Sequence, residues 1–201
     1  MLSFLFIAYS ITHLSLWLWG WREWKRQGKP LALLIALLVN TLLWYDNFRI
    51  GLGRFIGPGS LLYAISLPAF VWNWIFLPFM IIAAVLIGRL AGIGWARNKI
   101  VLGIFCLVSA AFITLDIPYA ISLVFGQSGT LPPMELRLAG ILDTIRYTTK
   151  LTPDQFLTPD AVAFSNGPAP TTAIVMNLIM LVIGVFLWVK RGWKLDRKSV
   201  V

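Results

Sequence analysis

The chain holds 201 residues, 59% of them hydrophobic and only 12% charged, with a mean hydropathy of +0.81. A soluble domain carries about 25% charged residues, so a water-facing globule is excluded, and the length suits one membrane bundle with no second globular domain. The net charge of +9 does not indicate nucleic acid, because the basic residues sit at the edges of apolar runs; the lipid bilayer is the expected partner.

The first predicted crossing covers about 2–19. Its charges follow the apolar run, which makes it a retained anchor rather than a cleaved signal peptide. Trp17, Trp19, Trp21 and Trp24 then form an interfacial aromatic belt. Pro30 suits a first helical turn and opens the second crossing, 30–56, with Gly57-Pro58-Gly59 as its stop. The third crossing, 61–87, contains Pro68 and Pro78, and a kink is expected at each. The fourth, 100–125, carries Asp116 and Pro118; the fifth, 171–189, ends in Lys190-Arg191. Between the last two lies one long loop, 126–170, with six prolines. A short helix at 134–147 is expected in it, since Leu136, Ala139, Gly140, Asp143 and Tyr147 fall near helical spacing. Its apolar content suggests an ordered lid, with one side of the short helix resting on the bundle or on the membrane surface. No internal repeat is visible, which weakens an inverted-repeat transporter.

Charge sets the expected orientation. Twelve of the 17 Lys and Arg residues fall in Arg22–Lys29, Arg89–Lys99 and Lys190–Lys198, and short basic loops stay cytoplasmic. Two crossings must separate each consecutive pair. The fold class is therefore an all-α bundle of five transmembrane helices, N-terminus outside, C-terminus cytoplasmic, with one long, partly helical outer loop. The remaining five basic residues and six of the eight acidic ones then lie on or near the outer side.

Polar residues inside apolar runs are the candidates for ligand binding. Asn40, Asn47 and Arg54 recur every seven residues on one face if the second helix is continuous, and Asp46 and Arg49 are spaced to pair. With Asn73 and Asp116 they define a candidate pocket in the outer half, roofed by the loop. Packing between membrane helices explains Asn40 and Asn73 as readily. His13, the only histidine, and Trp72 and Trp74 are candidate contacts for a flat cofactor or pigment, although a helix-to-helix hydrogen bond and ordinary packing account for them too. The cofactor itself is unknown from the sequence. One cysteine, Cys106, and one histidine allow neither an intrachain disulfide nor a Cys/His metal site. Gly51, Gly53 and Gly57 do not match a phosphate-loop spacing, and close packing and a tight turn explain them. No nucleophile elbow, HExxH or paired-carboxylate motif is present.

Tyr45-Asp46-Asn47 followed by Gly51-Leu52-Gly53-Arg54-Phe55-Ile56-Gly57 resembles a segment of an uncharacterised bacterial family of multi-span integral membrane proteins, whose pattern is Y-D-N followed by G-R-x-I-G. The likeness covers about a quarter of the chain and implies no activity. It draws attention to Asp46, Asn47 and Arg54. That family carries an Arg and a His in the next helix; Pro68–Trp74 here has neither, so no role for them transfers.

Two functions fit. The first is a non-enzymatic polytopic protein of a bacterial inner or internal membrane, an accessory subunit of a larger membrane complex or a binder of an apolar ligand. The second is a lipid-modifying enzyme or small transporter, in which Arg49 or Arg54 holds a phosphate or carboxylate and Asp116 acts as base or proton carrier. Asp116→Asn separates them, being tolerated in the first and inactivating in the second.

Overall fold

The computed structural model describes residues 1–126, 135–151, 164–165 and 171–191. Among the described residues six α-helices dominate: α1 (Leu2–Arg26), α2 (Leu31–Ile56), α3 (Ser60–Phe76), α4 (Phe79–Leu90), α5 (Lys99–Phe125) and α6 (Thr171–Arg191). Among the described residues α1, α2 and α5 are each long and apolar enough to cross a membrane, and the bent pair α3–α4 adds a fourth candidate. These helices mark a membrane-embedded protein. Each of α1, α2 and α5 exceeds the ~20 residues that span a ~30 Å hydrocarbon layer.

α1 continues beyond the expected boundary at Trp19, through the basic stretch to Arg26. Trp17, Trp21 and Trp24 stack along it with centroid spacings of 5.3 and 4.8 Å, and Lys25 and Lys29 lie over the last two rings. Helical spacing of three and four residues places these rings on one face. The other side of α1 is apolar and exposed, with Phe4, Ile11, Leu18 and Trp19 among its residues. The seam with α2 uses small groups instead: Ser3 and Ser10 are buried, and a Cβ on Gly51 would fall 2.7 Å from Ile7 Cγ1 and 3.0 Å from the Ile7 nitrogen. Small residues allow two helix backbones to approach where lipid offers no hydrophobic drive.

α2 runs unbroken past Asp46 and stops at Gly57, whose φ of 75° suits glycine. The two prolines of the third segment behave differently. Pro68 lies inside α3 without interrupting it, whereas the chain bends by 52° between α3 and α4 at Leu77-Pro78. The Pro78 carbonyl at this break accepts a 3.0 Å hydrogen bond from the buried Ser109 hydroxyl of α5. α5 itself starts on an Asn98 cap, whose side chain accepts from the Ile100 N–H, and tolerates Pro118 internally. At the α4–α5 turn, Arg89 donates to the carbonyls of Ala96 and Asn98. Val85, Ile93 and Ala96 form a small core there, with Phe105 and Phe186 against it.

The expected helix at 134–147 is instead an antiparallel hairpin, so the fold is not wholly α. β1 (Arg137–Ile141) pairs with β2 (Thr144–Thr148) in the register Arg137 to Thr148 and Ile141 to Thr144. β3 (Lys150–Leu151) pairs with β4 (Phe164–Ser165). Gly140 weakens a helix, and Thr144-Ile145-Arg146-Tyr147-Thr148 is rich in the β-branched and aromatic residues that strands favour. Of the two expected supports, the bundle and the membrane surface, this hairpin packs against the bundle. Leu136 is buried with Leu123 of α5, among Tyr63 and Leu67 of α3, Tyr119 of α5 and Tyr147. The loop prolines at 132, 133, 153, 159, 168 and 170 lie outside the described residues.

Candidate functional site

The hairpin meets the bundle where α1 begins and α2 ends. Gly53 fixes the approach: a Cβ there would lie 1.8 Å from the Ile145 carbonyl oxygen, so only glycine lets β2 sit directly on α2. Arg49 is one helical turn before Gly53 and shares its face. It is 5% exposed, which demands a partner for its charge. Asp46 provides it, accepting from Arg49 Nε at 2.8 Å and Nη2 at 2.6 Å. Arg49 Nη1 also reaches the buried Ser66 hydroxyl of α3 at 3.5 Å, and its guanidinium lies 5.0 Å from the Phe70 ring centroid. The Ser66 hydroxyl donates to the Leu62 carbonyl, which leaves its oxygen free to accept from Arg49.

Arg146 of β2 enters the same electrostatic field. Burial is the main influence that lowers its pKa; the positive charge of Arg49 lowers it further, and the Asp46 carboxylate opposes both. Its Nε is buried with no hydrogen-bond partner among the described residues. Of these two guanidinium groups only Arg49 is ion-paired with Asp46; among the described residues Arg146 makes no ion pair.

A second contact lies at the hairpin tip. Asp143 accepts from the Leu2 N–H at 2.6 Å and the Ser3 N–H at 3.4 Å, from the Met1 amino group, and from Arg54 Nη1 at 3.0 Å. The Ser3 hydroxyl donates to the Asp143 carbonyl at 2.9 Å. The carboxylate thus caps the first turn of α1 from a distant part of the chain, satisfying N–H groups that a helix leaves open. The hydrogen bond from the Met1 amino group, followed by those from Leu2 and Ser3, holds its pKa well below the usual carboxylate range.

The residues expected to form one pocket are distributed among several contacts. Asp46 and Arg49 form the pair above, while Arg54 belongs to the tip with Asp143. Asn40 turns away to α1: its Nδ2 donates to the His13 carbonyl at 2.8 Å and its Oδ1 lies 2.7 Å from His13 Nδ1. That arrangement makes Oδ1 the acceptor, so His13 carries a proton on Nδ1. Asn47 donates back to the Leu43 carbonyl within its own helix. Asn73 is half-buried on α3, and Asp116 is buried on α5, which packs against α3 and α4. Trp72 is exposed and leans on Tyr45 at 5.5 Å; Trp74 sits between Phe70 and Tyr119. Sequence spacing identified Asp46 and Arg49 but not Arg146 or Asp143. Only the alternating pattern of Thr144–Thr148 hinted that Arg146 belongs to a strand.

An apolar cavity of about 220 Å³ opens between α1 and α2, lined by Leu14, Trp17, Thr41 and Trp44. The Thr41 hydroxyl donates to the Leu37 carbonyl, so the cavity presents no unmet polar group from that side chain. Among the described residues no cluster of His, Cys, Asp and Glu is arranged to hold a metal ion. No family model matches the chain, and comparison with curated proteins and with solved structures gives no match.

Proposed function

We propose that this chain is a non-enzymatic bacterial inner-membrane or internal-membrane protein that binds an apolar ligand, alone or as an accessory subunit of a larger membrane complex. In this reading it crosses the bilayer five times, with α6 the fifth crossing, the N-terminus outside and the C-terminus cytoplasmic. Charge placement along the sequence supports that orientation. The α1–α2 cavity carries the functional reading, because it is apolar, open at the side of the bundle and of a size to take part of a lipid-like hydrocarbon chain. Polar candidates on the same two helices are consumed by internal bonds: Asn40 and His13 join each other, and Asn47 bonds its own helix.

Gentle purification, an absorption spectrum and mass spectrometry of co-purifying molecules test the reading. A stoichiometric apolar molecule or partner protein is expected, and filling the cavity by Thr41→Phe should expel a bound molecule. A chain that purifies with bulk lipid alone, in the same ratio before and after Thr41→Phe, sinks the apolar-ligand reading. The second reading, a lipid-modifying enzyme or small transporter, gains from the Asp46–Arg49–Arg146 cluster, which suits handling of an anionic headgroup. Loss of activity in a folded Asp116→Asn protein would favour it.

A further inference from the structure

We propose that Arg49 and Arg146 together hold one oxyanion, a phosphate or carboxylate group, at the junction of α2, α3 and the hairpin. This goes beyond the apolar-ligand reading and does not depend on it, since the cluster and the α1–α2 cavity are lined by different residues.

Three observations lead there. The first is charge. Arginine stays protonated in proteins, and Asp46 is ion-paired with Arg49, while Arg146 makes no ion pair among the described residues. An uncompensated cation in low-dielectric surroundings recruits an anion. The second is an open donor. Arg49 directs Nε and Nη2 at Asp46 and Nη1 at Ser66, whereas Arg146 has a buried Nε with no partner among the described residues. Guanidinium groups present planar forks matched to carboxylate and phosphate oxygens, so an anion beside Arg146 gains directional bonds as well as charge. The third is rigidity. The Asp46 pair, the Ser66 contact and the Phe70 ring hold Arg49, and the close Gly53–Ile145 approach holds the strand bearing Arg146. A site preorganised this way binds without first ordering its own side chains.

The same chemistry is offered by a phospholipid headgroup and by a soluble anion. Full-length protein in neutral detergent distinguishes them, using phosphatidylglycerol in mixed micelles and inorganic phosphate as separate probes. Native mass spectrometry counts retained lipid, and intrinsic tryptophan fluorescence follows melting. The expected result is saturable binding of at least one probe by the wild type and a loss of about tenfold or more in affinity in Arg146→Gln, the scale of one charged hydrogen-bond partner. Arg146→Lys keeps the charge without the fork and should fall between the two. Retained phosphatidylglycerol with no response to phosphate identifies a lipid headgroup; the reverse identifies a soluble anion. The proposal is overturned if wild type binds neither probe, or if Arg146→Gln or Arg146→Lys binds as tightly as wild type in the one that folds. Hydrocarbon retained in the α1–α2 cavity should be unchanged by either variant, so failure here leaves the apolar-ligand reading standing.

Discussion

Asn40 and His13 are joined by two hydrogen bonds across α1 and α2, with the asparagine amide donating to the histidine backbone carbonyl and accepting from the histidine ring. Membrane helices associate through such contacts because lipid gives their apolar faces no reason to leave it. Asn40→Leu should therefore cost about 0.6–2 kcal/mol, read as a lower melting temperature in detergent. His13→Leu combined with Asn40→Leu should recover part of the loss, since no polar group is then left unpaired. A single variant as stable as wild type would remove the contact from the account of α1 docking.

Gly53 marks a close approach of α2 and the hairpin. Any Cβ there meets the Ile145 carbonyl, a backbone atom that cannot rotate away. Gly53→Ala should lift the hairpin from α2, at a cost of about 1–3 kcal/mol from overpacking, and make the Arg137–Thr148 segment more sensitive to added protease. Gly51→Ala is the useful comparison. It meets Ile7 on α1, so it should loosen the α1–α2 seam while the hairpin stays protected. Equal protease resistance of Gly53→Ala and wild type would contradict the close approach.

The helices were legible because their cause is local. Long apolar runs bounded by charge announce α1, α2 and α5, and the glycine stop after Ile56 follows from backbone preference alone. That the helix breaks at Pro78 and runs on through Pro68 was not legible, because both positions show the same residue. The hairpin was missed for a related reason. Leu136, Ala139, Asp143 and Tyr147 satisfy a helical period by accident, and the strand is favoured by contacts with Tyr63 and Gly53 that lie far away in sequence. The site divides the same way: Asp46 and Arg49 are three residues apart and readable, whereas Arg146 joins them only after the hairpin folds back.

Asp143 gives the fold a defined acid response. Its pKa is depressed in the folded state, so its contribution is fully present above the unfolded value of about 3.9 and disappears only as pH falls through the lower folded value. Hairpin docking should thus be independent of pH from neutrality to about 4 and weaken only in stronger acid. Asp143→Asn should weaken docking at pH 7 and flatten the part of the acid response due to this group. Hydrogen exchange at the Leu2 and Ser3 amides, measured across that range, follows the contact directly. Rising exchange between pH 7 and 5 beyond the intrinsic rate would contradict a low folded pKa.

The two ends of α1 provide the sharpest test of the proposed orientation. The hairpin tip caps the first turn of α1, while Gln27 follows its last residue, about 37 Å away at the ordinary helical rise. If α1 crosses the bilayer, Leu142 and Gln27 must lie on opposite sides. Leu142 is almost fully exposed at the tip, and Gln27 is exposed beside the basic turn. With Cys106 replaced by alanine, Leu142→Cys should react with a membrane-impermeant maleimide on intact cells stripped of any outer barrier, and Gln27→Cys only after permeabilisation. The reverse pattern would invert the orientation drawn from the basic loops and place Asp46, Arg49 and Arg146 at the cytoplasmic face. Labelling of both from one side, with the membrane intact, would mean that α1 does not span.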